Sequence, residues 1–90
     1  MISGTDRAIK NETVLNRGNL YSYELTARES GKITLYSIKI TLKTAFGEIT
    51  ERVAENIFDN EEDAVAFYEM LIKNLATPLN LPYIVEDELR

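Results

Sequence analysis

The sequence predicts an α+β domain, an antiparallel three-stranded β-meander with one amphipathic helix packed on one face and a short C-terminal segment. Three observations predict it. Segments that alternate apolar and polar residues are separated by Gly18, Gly31 and Gly47, and such alternation is typical of strands with one buried face. A segment with apolar residues at helical spacing follows at 61–76. The chain has 90 residues, which is the size of one domain.

The register of the first two strands follows from their side-chain pattern. Residues 20–29 form the first clear strand and residues 32–44 supply the second, with Ser30-Gly31 as the two-residue turn between them. This turn pairs Tyr23 with Ile38, so that the apolar faces of the two strands coincide. A slip of one residue would set the tyrosines against polar side chains, which favours this pairing.

The third strand is expected over residues 48–54. A four-residue connection before it pairs Leu42 with Ile49, and a register shifted by two residues is the alternative. The first register places Glu51 on the apolar face of the sheet, opposite Ile40.

The N-terminal part gives a weaker pattern. Residues 13–17 are compatible with a fourth strand that turns through Gly18-Asn19, which would make the meander four-stranded. Residues 1–12 are expected to form a flexible N-terminal tail of the single domain 1–90.

The helix has clear signals at both ends. Asn60 or Asp59 can accept hydrogen bonds from the first amides, and acidic residues follow. Pro78 disfavours helical geometry at the residue before it, so we expect the helix to end near Ala76. For residues 81–89 two interpretations stay open, a short helix capped by Asn80 or a short strand.

Composition excludes several classes of function. The chain contains no histidine and no cysteine, so it lacks the commonest acid–base group and the usual zinc ligands. We therefore expect no enzyme, no metal site and no cofactor, and the missing cysteines favour a cytoplasmic location. The net charge is −5 overall, and residues 55–90 alone carry −7, which disfavours nucleic acid as a partner. No apolar stretch reaches the length of about 18 residues that a membrane span needs.

Two groups of residues are candidates for a binding role. Ile33 and Leu35 fall on the outer face of the predicted sheet and suggest a protein–protein interaction module whose partner is another protein or a second copy, as in a homodimer. The alternative is a small-ligand sensor with a pocket between helix and sheet. Four residues would line that pocket: Tyr21, Tyr23, Tyr36 and Glu51.

Several segments together resemble a known family. They are the tyrosine-rich strand LYSYELTARE, the strand YSIKI, the helix NEEDAVAFYEMLIKN and the tail TPLNLPYIVEDEL. Over residues 19–89 the chain resembles a small, uncharacterised domain family of Firmicutes-type bacteria. The resemblance implies a bacterial, cytoplasmic protein, and it implies no activity and no catalytic residue.

Overall fold

The computed structural model describes residues 6–88, which form four strands followed by two helices. The elements are β1 (Arg7–Asn16), β2 (Asn19–Ser30), β3 (Ile33–Lys43), β4 (Ile49–Phe58), α1 (Glu61–Lys73) and α2 (Leu81–Glu88). The strands form one antiparallel sheet in the order β1-β2-β3-β4. This confirms the α+β class and the four-stranded form of the meander.

Strand β1 is longer than the sequence indicated. We expected residues 1–12 to be a flexible tail, and this is wrong for residues 7–12, which pair with β2; residues 1–5 lie outside the described residues. The side chains of β1 are mostly exposed, so backbone pairing rather than apolar alternation defines the strand. The turn is Arg17-Gly18, one residue earlier than predicted, with φ of 55° and 81°, as a type I′ hairpin requires.

The β2–β3 turn also lies one position away from the prediction. Gly31 and Lys32 form it, and Ser30 pairs with Ile33. Gly31 has a φ of 63°, because the first central position of a type II′ turn needs a positive φ. Tyr23 therefore pairs with Ile40 instead of Ile38. This offset of two residues keeps the apolar faces of both strands together.

The length of the β3–β4 connection exchanges the two predicted faces of β4. Five residues, 44–48, form the loop, and Lys43 pairs with Ile49. Thr44 closes it, since its amide donates to the Glu48 carbonyl at 2.8 Å and its hydroxyl accepts from the Glu48 amide at 3.1 Å. An offset of one residue exchanges the two faces of a strand. The prediction that Glu51 lies on the apolar face is thus wrong, and Arg52 lies there instead.

An irregularity near the end of β4 shifts its register by two residues and so keeps the even-numbered residues on the apolar face. Asn56 has a φ of 55°, and its amide donates to the Ser37 hydroxyl at 2.8 Å. After this irregularity Phe58 pairs with Tyr36. The Phe58 ring then packs at 5.3 Å, centroid to centroid, against Phe67 of α1.

Helix α1 begins and ends with hydrogen-bonded caps. The Asn60 side-chain oxygen accepts from the Asp63 amide at 3.0 Å, which confirms the predicted cap. At the C-terminus the amide of Ala76 donates to the Leu71 carbonyl, with Leu75 at a φ of 53°. This is a Schellman motif, although the left-handed position usually holds glycine.

Helix α2 resolves the alternative left open for the C-terminal segment in favour of a helix. Thr77 and Asn80 cap its start reciprocally. The Thr77 amide donates to the Asn80 side-chain oxygen at 2.8 Å, and the Asn80 amide donates to the Thr77 hydroxyl at 3.3 Å. Pro82 lies in the first turn, where a helix tolerates proline because the amide there has no helical partner. A strand at residues 83–85 is therefore wrong.

Both helices pack on the same face of the sheet. Helix α1 contacts β2, β3 and β4, and α2 contacts β4. The core between these layers contains buried side chains from strands, helices and the segment between the helices: Tyr23, Leu25, Ala27, Tyr36, Ile38, Ile40, Ala64, Phe67, Tyr68, Leu71, Ala76 and Leu81. On the opposite face none of the described side chains of β2 and β3 is buried. We call this side of the sheet the open face.

Candidate functional site

The predicted tyrosine pocket is part of the packed core. Tyr23 is fully buried, and its hydroxyl donates to the Ala76 carbonyl at 2.8 Å. Tyr68, which the sequence analysis did not single out, donates to the Tyr23 carbonyl at 3.1 Å. Burial, aided by the nearby Tyr21, raises the pKa of Tyr23 to about 12. These hydroxyls already bond to the backbone, so they fix β2 against the helical layer instead of facing a ligand.

The other predicted pocket residues do not join Tyr23 around a cavity. Tyr21 is half-buried, and Tyr36 is buried with its hydroxyl 3.5 Å from a carboxylate oxygen of Glu61. Burial first, and then that carboxylate, raise the pKa of Tyr36. Glu51 lies on the open face, across the sheet from the tyrosines. The structure thus separates the four residues instead of bringing them together.

The open face carries ion pairs at its centre. The Lys39 ammonium lies 3.4 Å from a carboxylate oxygen of Glu24 and 3.3 Å from one of Glu51, which links three strands. Hydrogen bonds to Glu51 and Glu24 raise the pKa of Lys39. A polar hollow of about 270 Å³ surrounds these groups, and its charges are largely paired with one another.

Apart from Val53 at the β4 edge, the apolar side chains of the open face lie toward its two ends. Ile33 is 51% exposed and Leu35 is half-buried, both near the β2–β3 turn. The predicted position of this pair on the outer face is confirmed, while its role stays a prediction. At the other end Leu15, Leu20 and Ile49 share one row across the sheet. Because the ion pairs separate the two ends, the open face is not one continuous apolar patch.

A different feature combines an apolar groove with unpaired backbone. Within residues 6–88 no strand pairs with the outer edge of β4, and α2 packs beside that strand. A cavity of about 280 Å³ lies between them. We call it the edge groove, and it is lined by Arg52, Val53, Ala54, Ile57, Leu81, Pro82 and Val85.

The edge groove continues along α2. A neighbouring cavity of about 530 Å³ shares Arg52, Pro82 and Val85 with it and adds Leu79, Tyr83 and Glu86. Leu79 and Tyr83 are 68% and 71% exposed. Arg52 takes part in none of the ion pairs within the described part of the chain. The groove therefore offers apolar walls, a strand edge and the cationic Arg52, and Glu86 also lines its continuation.

The edge groove could not be predicted from the sequence, because the face of β4 and the position of α2 depend on non-local contacts. The local signal for it is the pair Leu81 and Val85, four residues apart, which gives a short helix one apolar side. That signal was present in the helical interpretation of residues 81–89. It became a groove only where α2 lies beside a free strand edge.

The fold and this site define a small α+β domain with a four-stranded antiparallel meander, helices on one face and a groove at one sheet edge. None of the helices within residues 6–88 has the length and apolar character needed to cross a membrane.

The chain belongs to a family of unknown function (DUF6514), whose family model matches residues 6–90. The prediction of an uncharacterised domain family is thereby confirmed, and its bacterial source stays a prediction. No curated protein and no solved structure matches the chain.

Proposed function

We propose that this chain is a non-enzymatic, cytoplasmic protein–protein interaction module that binds an extended segment of a partner protein in the edge groove. The observation that carries this proposal is the free edge of β4 beside the apolar side of α2. An extended segment added there would bond to the β4 backbone and place alternate side chains against α2. This is the general mode of strand addition to an exposed sheet edge.

The edge groove is a better docking surface than the open face for an energetic reason. A partner that covered the centre of the open face would remove Lys39, Glu24 and Glu51 from water, and desolvation of paired charges is costly. A segment on the β4 edge instead gains backbone hydrogen bonds and covers the apolar wall of α2. Ile33 and Leu35 would then form a second and smaller contact.

The groove also indicates the chemistry of the segment. Ala54, Ile57 and Val85 favour apolar side chains, and Arg52 favours one acidic residue among them. Nucleic acid is disfavoured because of the net charge of −5.

The alternative of a small-ligand sensor receives less support from the geometry. The hydroxyls of Tyr23 and Tyr68 bond to backbone carbonyls, and Glu51 lies across the sheet from them. A ligand between helix and sheet would have to displace packed core side chains.

The proposal is tested by amide hydrogen exchange of the labelled chain in an extract of its native cells, compared with buffer. A segment on the β4 edge slows the exchange of the amides that point outward from it, those of Glu51 and Val53, because they become hydrogen bonded. The variant Val53→Pro removes one of these donors, and proline is tolerated at an edge position whose N–H faces solvent. It should stay folded and lose the protection of the Glu51 amide. The variant Ile33→Lys is the matched control, since it changes the open face and should keep that protection.

Two outcomes would overturn the proposal. One is exchange of the Glu51 and Val53 amides at the rate of unprotected amides, both in extract and in buffer. The other is protection that Ile33→Lys abolishes and Val53→Pro leaves intact, which would place the partner on the open face.

A further inference from the structure

The two outer edges of the sheet run in directions that allow them to pair with each other. Within residues 6–88, β1 and β4 each have one neighbour only. Strand β4 runs antiparallel to β1 because three antiparallel steps separate them. A β1 strand from a second copy, laid beside β4, therefore continues the antiparallel order and keeps all helices on one side of the extended sheet.

The backbone of β4 is oriented for this pairing. The pair that closes a two-residue hairpin exchanges both hydrogen bonds, and bonded and non-bonded pairs then alternate. Counting from the closing pair of the β2–β3 hairpin, the even-numbered residues of β3 bond to β4. The residues of β4 that direct their amides and carbonyls outward are then Ile49, Glu51 and Val53.

The same counting applies to the other edge. Asn16 and Asn19 close the β1–β2 hairpin. The residues of β1 that direct backbone groups outward are then Asn11, Thr13 and Leu15. Both edges thus present outward groups at every second residue, and both sets lie on side-chain positions of the open face.

The charges of the side chains favour one register for β1 of a second copy beside β4. Glu12, Tyr23, Ile40 and Arg52 form one row across the sheet. The row begins with an exposed acid at one edge and ends with an exposed base at the other. Neither end residue takes part in an ion pair within the described residues.

When two copies meet edge to edge and their side-chain rows continue without an offset, Glu12 of one copy lies opposite Arg52 of the next. The same register sets Leu15 opposite Ile49 and Val14 opposite Thr50. Opposite charges and apolar pairs at facing positions stabilise antiparallel strands.

Two-fold pairings of β4 centred on residues 51–53, and one of β1, fit less well. A β4–β4 pairing centred on Glu51 or Arg52 puts that residue opposite itself, and one centred on Val53 puts Glu51 opposite Glu55. Like charges that face each other are destabilising. A β1–β1 pairing that matches Lys10 with Glu12 runs through the register shift between Ala8 and Lys10. The β1–β4 register uses residues 10–16 and 48–54, on the regular side of both irregularities.

We infer that the segment bound in the edge groove is β1 of a second copy, in the register that sets Glu12 opposite Arg52. This inference rests on the proposed function and names its partner. Because the two surfaces differ, the contact is heterologous, and repetition gives rings or filaments instead of a closed two-fold dimer.

The first experiment measures the size of the purified chain by sedimentation velocity over a range of concentrations. Wild type should assemble beyond the monomer as its concentration rises. Glu12→Arg and Arg52→Glu each bring like charges together and should weaken assembly about tenfold. The double variant restores opposite charges and should recover assembly, which a merely structural effect of either substitution would not do.

The second experiment tests the register with disulfides. The chain has no cysteine, so Val14→Cys and Thr50→Cys each introduce a single thiol. Facing residues at a non-bonded pair have Cα atoms about 4.5 Å apart, within the range of a disulfide. In one chain these positions lie at opposite edges, about 14 Å apart from three strand spacings. A mixture of the two variants should form a linked pair under oxidation, and a mixture of Val14→Cys with Ala54→Cys, four residues out of register, should not.

The outcomes separate this inference from the proposed function. A wild-type chain that stays monomeric, with no linked product, overturns self-assembly, whereas protection of β4 amides in the extract would still support the module. Efficient linking of Val14→Cys with Ala54→Cys overturns the register. Failure of the double charge variant to recover assembly overturns the pairing of Glu12 with Arg52.

Discussion

The buried hydroxyl of Tyr23 gives the sharpest prediction about stability. It donates to the Ala76 carbonyl at 2.8 Å, and the two residues are 0% and 2% exposed. Tyr23→Phe keeps the ring and removes the donor. A net hydrogen bond contributes about 1 kcal/mol, and a buried carbonyl left without this donor costs about 1–3 kcal/mol. We expect a loss of about 2 kcal/mol in the free energy of unfolding.

This loss is large enough to measure in a chain of this size. About 2 kcal/mol corresponds to a decrease in Tm of roughly 8–16 °C for a domain of 60–100 residues. Urea unfolding should show a lower midpoint and an unchanged m value, since the exposed surface stays the same.

Tyr36→Phe is the matched control. The Tyr36 hydroxyl lies 3.5 Å from a carboxylate oxygen of the exposed Glu61, at the limit of hydrogen bonding, and water can replace it. We expect a loss below about 0.5 kcal/mol, as for a weak contact at the surface. Equal losses for the two variants would refute the reasoning, because they would show that burial of the Ala76 carbonyl does not determine the cost.

Two further predictions concern pH and capping. Burial raises the pKa of Tyr23 and Tyr68 from 10.0 to about 12, with smaller contributions from neighbouring groups. The unfolded chain therefore loses these protons first, so stability is retained below about pH 10 and falls as pH rises toward about 12, by on the order of 2 kcal/mol for each group. Urea unfolding at pH 8, 10 and 11 checks this prediction. The free energy of unfolding of Tyr68→Phe should fall less steeply with pH than that of the wild type, and parallel pH dependences of the two chains would contradict it. Asn60→Ala removes the cap of α1 and should lower the free energy of unfolding by about 1 kcal/mol, while Asn60→Ser should keep most of it; a Ser variant as unstable as the Ala variant would argue against the cap.

Elements whose signals are local could be predicted from the sequence. The alternation in residues 20–29 and 32–44 indicated two paired strands, and their apolar faces coincide in the structure. The cap at Asn60 is encoded in adjacent residues. Helix α1 ends at Lys73, three residues before the end near Ala76 that Pro78 predicted, because the chain turns at the left-handed Leu75. For the two paired strands the turn could be misplaced by one position without changing the face, because the offset in pairing was two residues.

Which side chains of β4 face the core could not be predicted. A difference of one residue in the length of the preceding loop exchanges the two faces of the strand. Thr44 closes a five-residue loop through bonds to Glu48, and the alternation in β4 is too weak to exclude the other face. For this reason Glu51 lies on the open face, across the sheet from the predicted tyrosines.

The sequence by itself determined the class of the fold, the paired strands at its centre and the capped helix, since each depends on residues close in the chain. Tertiary structure decided which side chains meet across distance: Tyr23 with Ala76, Lys39 with Glu24 and Glu51, and α2 with the edge of β4. The edge groove belongs to this second group. The groove exists because the short helix α2 cannot bury its apolar side by itself and packs beside a strand edge. No local sequence pattern specifies this contact.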